Sequence, residues 1–384
     1  MPGRGVLGRR SMLLGQVLGS PYFPSTGVLV TPAIDAPPGE QPATRRQPPA
    51  RVRTFTGLMG LLGLLVLLIV SITLSLVVGS GHVPLSDVWN GVFSPDRSVE
   101  GQLIMRELRI PRTVAGLLAG AALGLAGAVI QGVTRNPLAD PGLLGINAGA
   151  SAAVVFAIGW LGITAADGYI WFGFLGAAVA ATLVYGVGSL GREGATPVKL
   201  ALAGQATSAA LIALTTAMLL KDTETYDRYR FWQVGSLTGR DAEVIAQAAP
   251  FVGVGVLLAL ALGPQLNALA LGDDVARGLG QKVGLIRVVS AVAVVLLTGA
   301  ATVIAGPIAF VGLVVPHAAR MLAGADYRWL LVHCLLLAPS LLLVSDVIGR
   351  LIARPGELQV GIVTAAVGAV PFVLLVRRRK MAEL

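Results

Sequence analysis

The chain has 384 residues and a formal net charge of +9, with 55% hydrophobic and only 13% charged side chains. Ordinary soluble domains carry about 25% charged residues, so the composition excludes a water-soluble globular protein. The positive charges lie between long apolar blocks rather than on one soluble face, which argues against a nucleic-acid-binding module.

In chain order, residues 1–54 are rich in Pro, Gly and Arg and read as a mostly disordered cytoplasmic tail, ahead of a transmembrane domain at 55–384. The short, interrupted apolar patch at 11–18 makes a poor signal peptide. Apolar runs then predict spans at 56–78, 112–134, 143–162, 169–190, 198–220, 244–263, 286–305, 306–323, 329–345 and 358–376. Each is near the roughly 20 residues that cross a bilayer core of about 30 Å. The expected fold is an all-α polytopic membrane bundle of about ten transmembrane helices. Its 49 glycines suit close helix packing in lipid. The single cysteine, Cys334, lies in an apolar block, so no disulfide forms within one chain and packing is its expected role.

Ten spans put both termini on one side. With that side cytoplasmic, 19 of the 29 Lys and Arg fall inside, closing with Arg377, Arg378, Arg379 and Lys380 directly after the last span. This is the bias that orients membrane proteins. Arg109 and Arg112 are exceptions, flanking Pro111 at the outer start of the second span. A helix N-terminus disfavours cations by a few tenths of a kcal/mol. Snorkelling to lipid phosphates, pairing with Glu107 and docking an acidic partner outside are all open at this point. Arg350 and Arg354 form a second outer basic pair, with Asp346 one helical turn before Arg350.

Along the second span Gly116, Gly120, Gly124, Ala128 and Gly132 recur every four residues and make one smooth helix face. A break follows in Asn136-Pro137-Leu138-Ala139-Asp140-Pro141-Gly142. Gln131, Asn136 and Asn147 are polar groups that need partners when buried. They read as caps and interhelical bonds first, and as a pathway lining second. Between the sixth and seventh spans, at about 264–285, comes Leu271-Gly272-Asp273-Asp274-Val275-Ala276-Arg277-Gly278-Leu279-Gly280. Acids lead, a cation follows and glycines close, which is the charge order of a short helix complementing its own dipole. It is either an amphipathic connector or an element that presses on a soluble partner.

No Gly-Lys dipeptide occurs, so a P-loop is absent. The predicted spans carry no ionisable residue at their centres, where proton- or sodium-coupled carriers keep one. That weighs against an ion-coupled secondary transporter, the distant alternative. No catalytic cluster stands out. His317 alone does not make a metal site.

Residues from about 55 onward resemble the permease subunits of binding-protein-dependent ABC importers for iron–siderophore complexes, haem and vitamin B12, the FecCD-type family. The resemblance rests on Leu108-Arg109-Ile110-Pro111-Arg112, on the stretch from Gly124 through the 136–142 break, and on the 271–280 loop. It also rests on Gly306-Pro307-Ile308-Ala309-Phe310-Val311-Gly312-Leu313-Val314-Val315-Pro316-His317 and on Pro355-Gly356-Glu357-Leu358-Gln359-Val360-Gly361-Ile362-Val363-Thr364. The tail departs from the family pattern. The resemblance implies a bundle like the vitamin B12 importer permease, in the inner (plasma) membrane of a bacterium. It also implies a second permease subunit, two cytoplasmic ABC ATPases and an external solute-binding protein. Under it, Gly272, Asp273, Asp274, Ala276, Arg277 and Gly280 couple to the ATPase, and Arg109, Arg112, Arg350 and Arg354 meet the binding protein. Gly116, Gly120, Gly124, Gln131, Asn136, Pro137 and Asn147 are packing or pathway candidates. The resemblance further implies a non-catalytic transport subunit that binds no cofactor or metal of its own, with ATP and Mg used by its partners. An iron–siderophore complex is the expected cargo, with haem and cobalamin as alternatives.

Overall fold

The computed structural model describes residues 50–79, 81, 83–94, 96–163, 165–190 and 196–370. The tail at 1–49, Arg192, and Arg377, Arg378, Arg379 and Lys380 lie outside the described residues. The helices, in chain order, are α1 (Ala50–Val77), α2 (Leu85–Phe93), α3 (Glu100–Ile104), α4 (Ile110–Thr134), α5 (Ile146–Leu161), α6 (Ala166–Gly188) and α7 (Pro197–Leu219). Next come α8 (Thr223–Gln233), α9 (Ala242–Ala261), α10 (Gly263–Ala270), α11 (Asp273–Gly278), α12 (Val283–Ala305), α13 (Val311–Ala323), α14 (Tyr327–Ile352) and α15 (Val360–Val370). A π-helical turn, Met105–Arg109, joins α3 to α4.

Among the described residues seven helices are long and apolar enough to cross a membrane, and α5, α13 and α15 are shorter apolar ones. Each of these ten overlaps one of the ten predicted spans, and the chain is a multi-pass membrane protein. The differences have local causes. α13 starts at Val311 rather than 306 because Gly306 and Phe310 hold left-handed φ values of 74° and 69° around Pro307, which has no N–H to give. α14 runs on to Ile352 because Asp346 and Arg350 pair along it instead of ending it. α4 stops at Arg135, φ 50°, since Asn136 precedes a proline and is pushed out of the helical region. The short helices α2, α3, α8 and α10 are not marked as elements of their own by any predicted span.

α4 is the axis of the bundle and packs against α9, α12, α13 and α14. Its predicted glycine face meets α14: a Cβ on Gly116, Gly120 or Gly124 would run into Leu343, Pro339 or Ala338 respectively. Gly127 faces the backbone of Gly312 on α13 with no side chain between them. α5 and α6 pair in the same way, Gly149 against the carbonyl of Gly176 and Gly176 against that of Gly149. In lipid, where apolar burial supplies little drive for association, this close backbone approach is what holds helices together.

Candidate functional site

At one end of the bundle, four arginines converge on one place. Arg109 closes the π-helical turn and faces inward, its guanidinium donating to the carbonyls of Leu76 (2.7 Å), Val77 (2.8 Å) and Gly81 (3.1 Å). Arg350 donates to the carbonyls of Ser75 (2.9 Å) and Val78 (2.7 Å), and Arg354 to that of Gly79 (2.9 Å). All are carbonyls at or just beyond the last turn of α1, where a helix leaves acceptors without intrahelical partners and carries partial negative charge. Arg112 forks onto Asp346, Nη2–Oδ1 2.7 Å, and reaches Glu357 at 2.6 Å. Asp346 also takes Arg350 at 2.5 Å. Arg109, Arg112 and Arg350 are buried, and only Arg354 is exposed. The setting therefore differs from that of four free surface cations: all four guanidiniums have partners inside the chain, and three of them are buried.

A cavity of about 920 Å³ opens between α5, α7 and α8. Asn147 and Ser151 line it from α5, Gln205, Ser208 and Thr216 from α7, and Tyr229 from α8. Asn147 Oδ1 accepts a hydrogen bond from Thr302 (3.3 Å), which holds the amide at the wall. α7 is the least apolar of the seven candidate spans and leaves Gln205 and Thr216 exposed. A membrane helix with a polar, uncovered face is directed at water or another protein rather than at lipid.

Of the sequence candidates only Asn147 lines this cavity. Gly116, Gly120 and Gly124 are packing positions against α14. Gln131 is buried, donating to the carbonyls of Gly312 and Leu313 (both 3.3 Å) and accepting from Arg320 (2.9 Å). Asn136 Oδ1 takes the N–H of Leu138 (2.9 Å) and shapes the turn at Pro137. Close by, Asp140 Oδ1 accepts from the N–H of Gly142 (2.8 Å). Desolvation nevertheless holds Asp140 above the ordinary carboxylate range. The span at 198–220 is predicted from the sequence without its polar residues being singled out, although the signal is present: Gln205, Thr207, Ser208, Thr215 and Thr216 are unusually many polar groups for one span.

At the end of α4 opposite the arginine cluster, α11 hangs between α10 and α12. Gly272 enters it at φ 105°, a conformation that suits glycine. Ala276 is buried, while Val275 and Leu279, 49% and 59% exposed, form a short apolar stripe at i and i+4, and Leu271, 63% exposed, stands across the Gly272 break at the end of α10. Asp273 is the tie to the bundle. It takes Arg135 at the end of α4 (3.1 Å) and Arg287 in the first turns of α12 (2.7 Å), with Arg277 at 3.9 Å. Asp274 pairs with Arg277 at 2.8 Å, and Gly280 ends the segment at φ 79°.

The sequence model of the FecCD transport family matches residues 67–378. The chain is 45% identical over 310 residues to the ferric enterobactin transport system permease protein FepD of Escherichia coli (strain K12), covering 81% of this chain and 92% of that one. It is 42% identical over 293 residues to the probable siderophore transport system permease protein YfiZ of Bacillus subtilis (strain 168), covering 76% and 88%. A solved inward-facing structure of a transporter assigned to the metal-chelate ABC type superposes with a TM-score of 0.73 at 28% identity, covering 84% of this chain and 99% of that one.

Proposed function

The chain belongs to the FecCD transport family, and on that footing we propose that it is the permease subunit of a bacterial cell-membrane ABC importer for an iron–siderophore complex. An external solute-binding protein delivers the complex, and separate ATPase subunits supply the energy. The observation that carries this reading is the cavity of about 920 Å³ with its polar α7 wall. Its size lies at the upper end of small-molecule sites, about 300–1,000 Å³, which suits a bulky chelate better than a bare ion. The chelates in the relatives' names, ferric enterobactin among them, support the same class of cargo. A second permease subunit set against the exposed face of α7 completes the wall and encloses the path.

Energy enters at α11. Its apolar stripe gives a soluble ATPase a surface to grip, and Asp273 carries the displacement to α4 and α12 through Arg135 and Arg287. At the outer end Arg354 is the exposed cation for an acidic binding-protein residue. Arg112 joins it when an incoming carboxylate replaces Glu357, whereas Arg109 and Arg350 hold the floor of the site against α1.

The test is uptake of a panel of labelled ferric siderophores, with haem and cobalamin alongside, in cells with and without the gene and with an ATP-depleted control. Loss of one ferric siderophore in the deletion, matched by ATP depletion, is the expected result. Loss of haem or cobalamin instead would reassign the cargo. Uptake that survives ATP depletion and collapses with the proton gradient would overturn the ABC reading.

A further inference from the structure

A second concavity lies at the outer end of the bundle, away from α7. It is a groove of about 770 Å³ between the first turns of α4 and α9, rimmed by Gly91 and Val92 of α2. Ile110, Val114 and Leu118 line one wall, each one turn below the last, and Ile245 and Ala249 face them from α9. Eight residues of helix rise about 12 Å, so the groove runs most of the way through one leaflet, about half of the 30 Å hydrocarbon core. At its mouth stands Arg106, exposed and with no ion pair or hydrogen bond among the described residues. No acidic side chain lines the groove.

Two further features set its depth and chemistry. Residues three apart on a regular helix share a face, but the π-helical turn splits Arg106 from Arg109, turning one out to the groove and the other in to α1. Beside it, α2 buries Val88 against Met105 and leaves Trp89 and Phe93 66% and 65% exposed, their rings 4.5 Å apart. Exposed aromatic side chains on a short amphipathic helix mark the headgroup level of a bilayer. Arg106 therefore stands where lipid phosphates lie, above an apolar slot lined by Ile110, Val114 and Leu118.

We propose that this groove is a phospholipid site of the outer leaflet, taking one acyl chain between α4 and α9 and the phosphodiester on Arg106. The site stands independently of the transported cargo. Val114 and Arg106 belong neither to the α7 cavity nor to α11.

The experiment is native mass spectrometry of the purified full chain after delipidation, with dioleoyl phosphatidylglycerol added back and dioleoylglycerol as the phosphate-free comparison. The intact chain is expected to retain one phosphatidylglycerol and to bind dioleoylglycerol at least tenfold more weakly. Arg106→Glu is expected to weaken the phospholipid at least tenfold, Arg106→Lys to keep most of it, and Val114→Trp to lose it by filling the slot. Arg97→Glu, which reverses an exposed charge outside the groove, is expected to leave binding unchanged. Equal losses in Arg97→Glu and Arg106→Glu would show general charge attraction and overturn the proposal. So would equal retention of dioleoylglycerol, or release of a second protein chain rather than a lipid by Arg106→Glu.

Discussion

Arg109, Arg350 and Arg354 gather in one place, and the reason is the frayed end of α1. Carbonyls at a helix terminus attract donors as a carboxylate does, yet they have no signature in a sequence because every residue has one. Asp346 is the charge that makes the cluster affordable, lying between Arg112 and Arg350. Asp346→Ala should destabilise the chain by about 3–5 kcal/mol, because buried Arg350 loses its counter-charge and Arg112 keeps only Glu357. Membrane abundance and the thermal midpoint in detergent would register it. Arg354→Ala removes one exposed contact, so abundance should hold while binding-protein-dependent uptake falls. Equal losses of abundance in both variants would sink the distinction. The sequence made these arginines conspicuous and supplied the i, i+4 pairing of Asp346 with Arg350. It could not supply Arg112–Glu357, which joins residues 245 positions apart.

At the scale of elements, periodicity located ten apolar helices because a membrane span is read from length and composition alone. It failed where the backbone leaves the helix for conformational reasons, as at 306–310, and where short amphipathic pieces such as α2 and α8 lie between spans. The α4 glycine face was legible as packing, but its partners α14 and α13 were not. Gly127→Ala should lower the thermal midpoint by an amount equivalent to about 1–3 kcal/mol or more, since the added methyl meets the backbone of Gly312 rather than a yielding side chain. Gly253→Ala on α9, where the methyl meets nothing within 4 Å, should leave the midpoint unchanged or raise it. The acidic start of α11 was also readable, whereas its contacts to α4 and α12 needed the fold. Asp273→Asn removes ion pairs that are partly open to water and worth about 0.2–1 kcal/mol each, so stability should change little. ATPase subunits should still co-purify on the Val275 and Leu279 stripe, while cargo moved per ATP hydrolysed drops. Unchanged coupling in that variant would show that Asp273 only fastens α11.

For the whole molecule, α7 is the unfinished side. A cysteine at Thr216 should cross-link to a neighbouring permease subunit under mild oxidation, because a polar face in lipid calls for a covering surface. Ser208→Leu, facing the cavity, should reduce uptake several-fold without changing abundance. Cross-linking from the lipid-facing Leu175 of α6 instead would place the partner elsewhere.

The reciprocal contact of Gly149 with Gly176 also limits how this protein can change through descent. Most packed pairs can drift together, one side chain growing as its neighbour shrinks. Here neither residue can become smaller, so a substitution at one has no compensating substitution at the other. Each single step away from glycine forces α5 and α6 apart, and no second step at the same contact closes the gap again. The spacing of these two helices behind the cavity is therefore a fixed dimension, and change in the cavity is left to the side chains that line it from α5, α7 and α8.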